Sequence, residues 1–166
     1  IRALRSGGGS GFSLASQTDV ELELCSILSE PNLAEPLASY VKEGPAARTR
    51  QLAARLASLF REYEYHREDW IESWIAKAPD GSEPAMVQAQ AGIYRALSAR
   101  LSARGLSTFY WYAASLMQNP LTPVSRVFVF GISQISRLHA RILFHLAESS
   151  GFDLYLADFV LSAGAP

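Results

Sequence analysis

Cysteine is almost absent: Cys25 is the only one in the chain. A lone thiol closes no intrachain disulfide and no multi-cysteine metal site, which fits a reducing compartment and makes the cytoplasm the expected location. Histidine is scarce too, with His66, His139 and His145 the only 3. The last two stand six apart, on different faces of any helix, so they share no metal. An excess of one charge is also missing. The 15 Lys and Arg against 16 Asp and Glu leave a net charge of -1, so no global field gathers nucleic acid. The overall charge argues neither for nor against nucleic acid, and any contact with it would need a local basic face.

Other absences exclude whole classes of chemistry. No run approaches the roughly 20 apolar residues that cross a bilayer, and no apolar signal-peptide core stands near the N-terminus. The patterns G-x-x-x-x-G-K-[ST], G-x-S-x-G and H-E-x-x-H do not occur. The turn Phe130-Gly131-Ile132-Ser133 carries a single glycine, too few for the backbone nest that a pyrophosphate needs. A non-catalytic chain with no cofactor and no metal of its own is expected.

What is present builds a core. With 166 residues, 49% hydrophobic and 11% aromatic, the chain is long and apolar enough to fold. Beyond the glycine-rich stretch Gly7 to Gly11, Thr18 is a good cap for a first helix that Pro31 stops, and a short second helix spans Leu33 to Val41, ended by Gly44-Pro45. From Ala46 to Tyr65, Leu52, Leu56, Leu59, Phe60 and Tyr63 make one helical stripe. Trp70, Ile71, Trp74 and Ile75 mark a helix over Arg67 to Lys77. Ser82 caps a long helix that buries Met86, Ala89, Ile93, Tyr94, Leu97 and Leu101, with Gly105 at its C-terminal cap. Ser107 or Thr108 starts another through Phe109, Tyr110, Trp111 and Tyr112, to Pro120.

The pattern then changes. Val127 to Phe130 and Phe152 to Ala157 read as buried strands, with a helix between them opened by Ser133 or Ser136. Strand, helix and strand make a right-handed parallel crossover whose lone pair of strands needs further strands for stability. The expected fold class is mainly α with a small α/β part: a flexible segment over 1–17, a helical subdomain over 18–122, and a βαβ portion over 123–166. The chain begins at Ile1 and ends at Pro166, and reads as a piece of a longer protein.

Charged clusters give the candidate chemistry. Glu62, Glu64, Glu68 and Asp69 could hold two metals, but Arg61 and Arg67 interleave them, and a solvated, salt-bridged face is the better reading. Asp158 closes the second strand, where open α/β sheets bind ligands, and serves equally well as a turn cap. Arg48, Arg50, Arg55, Arg61 and Arg67 form the best local basic set, able to hold phosphates or read base edges. The aromatics Phe109 to Tyr112 could stack bases; pointing all round a helix, at least half belong to the core.

The stretch Ala57-Ser58-Leu59-Phe60-Arg61-Glu62-Tyr63-Glu64-Tyr65-His66-Arg67-Glu68-Asp69-Trp70, with Trp74 one turn on, resembles the RecC family, where it runs roughly A-D-L-F-D-x-Y-x-x-Y-R-P-D-W. Arg126-Val127-Phe128-Val129-Phe130-Gly131-Ile132-Ser133 is similar to that family's R-V-F-x-x-G-I-S element. The two matches stand in the same order and span Leu52 to about Asp158. Together they imply part of a superfamily 1 helicase-like domain that has lost its ATPase motifs. The implied role is that of exodeoxyribonuclease V gamma subunit, which holds the helicase-nuclease beta subunit and the helicase alpha subunit, splits duplex DNA and passes one strand through a tunnel that recognises Chi. ATP and Mg would be bound by those partner subunits. The tunnel-facing positions carry over to Ser58, Leu59, Arg61 and Arg67, with Glu62 beside them. Ser58 and Arg61 replace family aspartates, His66 a tyrosine and Glu68 the proline, and a later recognition arginine falls near Trp111. Reversed charge at Arg61 exchanges an acceptor for a donor, so strand handling is implied more firmly than any one sequence preference. A helical protein-interaction module that does not bind DNA is the alternative, and an α/β enzyme with its site around Gly131 and Asp158, binding a small ligand at the strand ends, is a third.

Overall fold

A computed structural model of the chain describes residues 12–31, 37–42, 46–76, 83–118 and 135–150. Among them are seven helices and two short strands: β1 (Ser13–Leu14), α1 (Gln17–Leu28), α2 (Leu37–Lys42), α3 (Ala46–His66), α4 (Glu68–Ala76), α5 (Ala85–Ala103), β2 (Leu106–Ser107), α6 (Phe109–Met117) and α7 (Arg137–Ser150). The protein is mainly helical with a small parallel pair.

The strands differ from those expected. β1 and β2 pair in parallel, Ser13 opposite Leu106 and Leu14 opposite Ser107. Val127 to Phe130 and Phe152 to Ala157 lie outside the described residues. The observed pair is too short for any alternating pattern to reveal it, and it exists because α5 returns the chain to the start of α1. Gly105 makes that return possible. Its φ of 69° is left-handed, the conformation that ends a helix at low cost when no Cβ is present.

Caps set the boundaries. Ser16, not Thr18, begins α1: its hydroxyl accepts the Asp19 amide at 3.1 Å and the Asp19 carboxylate accepts the Ser16 amide at 3.0 Å. The sequence reading missed this because Ser16 precedes the apolar run by four residues. α5 begins after Pro84 in place of Ser82, since proline suits the first turn and needs no amide partner. Ser136 opens α7 by accepting the His139 amide at 3.2 Å. Arg67 alone separates α3 from α4; its amide reaches the Tyr63 carbonyl at 2.7 Å and its carbonyl accepts the Trp70 amide at 3.0 Å.

One core joins these helices. α1 packs on α3 and α5, α4 on α3 and α5, and α7 on α3 and α6. Leu24, Ile27 and Leu28 of α1 meet Ala53, Leu56, Ala57 and Phe60 of α3 and Ile93, Tyr94, Leu97 and Leu101 of α5. Each such leucine or isoleucine contributes about 1.5–3 kcal/mol over exposure. Met86, expected on the buried face of α5, is exposed because it sits in the first turn, ahead of the packed stretch. Among the described residues no helix is long and apolar enough to cross a membrane.

Candidate nucleic-acid interface

The second half of α3 and the break after it carry the five residues implied by the family resemblance. Ser58, Arg61 and Glu62 are exposed and share one outward face, as i, i+3 and i+4 positions do. Leu59 is half-buried and packs against the core, so it supports this face from beneath. The Ser58 hydroxyl donates to the Ala54 carbonyl of its own helix at 3.1 Å. Glu62 lies 3.7 Å from the His66 ring. Arg61 makes no hydrogen bond to another described residue, and its positive charge acts on Glu64 and Tyr65 at a distance.

The five arginines do not form one patch. At about 100° per residue, Arg50 and Arg61 fall on one side of α3, while Arg48 and Arg55 fall about 140° away. Arg48 lies over the Tyr40 ring of α2 at 5.2 Å.

Arg67 is held on two sides. Its Nε and NH2 donate to the two Asp69 oxygens at 3.2 and 3.1 Å, and its guanidinium lies 3.8 Å over the Trp70 ring. The fork keeps the Asp69 carboxyl below the usual range. Trp70 is itself set by Tyr63, edge-on at 5.3 Å, and by Trp74 at 6.1 Å. Asp69 is exposed and salt-bridged to Arg67, in keeping with the interleaved charges of the sequence, whereas the stacking of Arg67 on Trp70, three residues on, was not read from it.

Two of the four acidic residues read as solvated are buried. Glu64 is 3% exposed and Glu68 5%. Glu64 accepts the Tyr94 hydroxyl at 2.7 Å and the Tyr110 amide at 3.2 Å, and Tyr94 also meets the Thr108 hydroxyl at 3.3 Å. The carboxylate thus caps the N-terminus of α6, where the Thr108 side chain makes no capping bond. Burial pushes the Glu64 carboxyl up, against its hydrogen bonds from Thr108, Tyr94 and the Tyr110 amide. Burial, then the Glu64 charge, pushes Tyr94 well above ordinary tyrosine. With Arg61, Tyr65 and Phe109, Glu64 borders a cavity of about 190 Å³.

Glu68 pairs with Arg141 of α7, and its Oε1 has no hydrogen-bond partner among the described residues. Both glutamates continue an apolar stripe, Ala53, Ala57, Phe60 and Glu64 then Glu68 and Ile71, and that was the signal for their burial. Glu62 and Asp69 are exposed, so the four never converge. No cluster fit to hold a metal occurs among the described residues.

The aromatic run divides as its all-round spacing requires. Tyr110 is buried with its hydroxyl bonded to Glu72, and burial with that bond pushes it up to about 12. Phe109 packs on Tyr65 at 5.4 Å and on His139 at 5.5 Å. His139 is held below the usual histidine value by burial, with His66 adding to it. Asp158 and Gly131 lie outside the described residues.

Compared with known proteins, residues 16–159 match the family described as RecC, N-terminal domain. The match reaches back well before Leu52, across α1 and α2, where the residues themselves showed only helical character. No curated protein and no solved structure matches the chain.

Proposed function

Because the chain belongs to the RecC N-terminal domain family, which serves the multi-subunit DNA-repair complex exodeoxyribonuclease V, we propose that it is a non-catalytic strand-handling and scaffold unit of that complex. The observation that carries this reading is the outward face of Ser58, Arg61 and Glu62, with Arg67 at its end, on the family-matched helix α3. An exposed guanidinium offers donors to phosphate, and a rigid helix presents them at fixed spacing. Leu59 packs that face onto the core.

In this reading residues 18–122 handle the strand and residues 123–166 belong to an inactivated helicase-like domain. The helicase-nuclease beta subunit and the helicase alpha subunit are the partners, in the cytoplasm. ATP and Mg are theirs to bind, because this chain has no phosphate loop. A regulatory sequence such as Chi would be read by the same face, with a preference altered by Ser58 and Arg61.

Purification of the protein from its native cells under mild salt tests the proposal. Two larger ATPase subunits, one with a nuclease domain, and ATP-dependent unwinding from duplex ends are the expected companions. A protein found with unrelated partners overturns it. The split of the arginines over two sides of α3 favours a second reading, a helical protein-interaction module that does not bind DNA. It requires that Arg61→Ala and Arg67→Ala leave every partner interaction unchanged.

A further inference from the structure

Resting on the scaffold part of that reading, we propose that Glu68 and Glu72 of α4 form a receptor for a lysine side chain of a partner subunit. The two carboxylates stand at i and i+4, neighbours on one helix face whose like charges destabilise each other. Arg141 of α7 pairs with Glu68, and the Tyr110 hydroxyl donates to Glu72. Tyr110 is pushed up to about 12, by burial first and then by that bond, so it donates without bringing charge. Arg67, the nearest cation in sequence, is forked to Asp69 and stacked on Trp70. Two negative charges of α4 therefore meet one positive charge, that of Arg141.

Glu68 also carries an orphaned oxygen. It is 5% exposed, and its Oε1 is buried with no hydrogen-bond partner among the described residues. Such an acceptor is costly, and native structures fill nearly all of them. The start of α4 does not require a carboxylate there, since Glu68 is its first residue, where proline is favoured and where the RecC pattern carries proline. Glu72 is exposed and Arg141 is 49% exposed, so the rim of the cluster faces solvent and a second chain can reach it. Arg141 takes one oxygen of Glu68 and Tyr110 one of Glu72, which leaves a single oxygen on each carboxylate. Single acceptors suit a compact ammonium with three donors, whereas a guanidinium fork seeks both oxygens of one carboxylate. The family's multi-subunit complex is where such a second chain is found.

Carbodiimide coupling of carboxylates to amines, applied to the complex in which the protein purifies, tests the receptor. Peptide mass spectrometry should find Glu72 joined to one lysine of a partner subunit, and Glu72→Gln should abolish that product. The pair Glu68→Gln with Glu72→Gln keeps the shape and removes the charge, and should raise the dissociation constant of that subunit about tenfold. Replacing the coupled lysine by Ala should weaken the parent complex equally and add nothing to the double glutamine variant. The thermal melt of Glu72→Gln should match the parent's, because the residue is exposed. Coupling only to Lys42 or Lys77 of this chain, no coupling in an intact complex, or effects that simply add overturns the receptor. A protein that purifies without any partner subunit overturns the scaffold reading instead.

Discussion

Tyr94 of α5 donates its hydroxyl to Glu64 of α3 at 2.7 Å, and the same carboxylate accepts the Tyr110 amide that opens α6. Three helices that hold the outward face in place are thus tied at one buried group. Tyr94→Phe removes one donor and should cost about 1–2 kcal/mol in urea unfolding. Glu64→Ala also leaves the α6 amide and the Tyr94 hydroxyl unpaired, and should cost about 3 kcal/mol. The double variant should fall short of the sum, because the partners share one network. Strict additivity would show that the network stabilises nothing beyond its pieces.

The same group makes stability depend on pH. Its folded pKa is raised above the ordinary value of 4.5, so the folded state binds this proton more readily than the unfolded chain does. That contribution is fully present below the unfolded pKa and is lost as pH rises through the folded one. The difference in unfolding free energy between the protein and Glu64→Gln should therefore shift against the parent as pH is raised from about 4. A difference flat with pH would mean that Glu64 titrates as it does in water.

Arg141 is the only charge among the described residues paired with buried Glu68, and it comes from α7. Arg141→Ala should leave a buried carboxylate uncompensated and cost about 2 kcal/mol, discounted because the arginine is half exposed. Hydrogen exchange should speed in α7 before it speeds in α1 or α5. The pair Glu68→Leu with Arg141→Leu should restore most of the loss, since an apolar contact replaces the ions without their desolvation. Uniform exchange across all helices in Arg141→Ala would count against the pair as the fastener of α7.

Gly105→Ala forces a Cβ into a left-handed turn at φ 69° and should cost about 1 kcal/mol, read as a fall of several degrees in Tm. Because Gly105 accepts the Ser13 amide at 2.9 Å, protection of that amide should fall with it. An unchanged Tm would place the turn outside the cooperative unit.

Several features were legible from residues alone because they repeat. The stripe through Leu56, Phe60 and Tyr63, the buried set Ile93, Tyr94, Leu97 and Leu101, and Gly105 as terminator each follow from helical period or backbone sterics. The motif around Phe60 to Trp74 resembled the right family, and the matched region is longer than that motif. The burial of Glu64 and Glu68 was misread because charge type outweighed position, although both residues continue the apolar stripe. The partners that make their burial tolerable, Tyr94 and Arg141, stand 30 and 73 residues away.

Local order, the family, and the want of catalytic motifs were therefore set by the sequence itself, since each depends on neighbours within a turn or two or on which residue types are present at all. Tertiary structure alone decided which glutamates face solvent and where the parallel strands meet. Those outcomes depend on what packing brings to a side chain from distant segments: Glu64 is covered by α5 and α6, and Glu68 is paired by Arg141 of α7. Burial and pairing are properties of the assembled surroundings, and a one-dimensional pattern does not carry them.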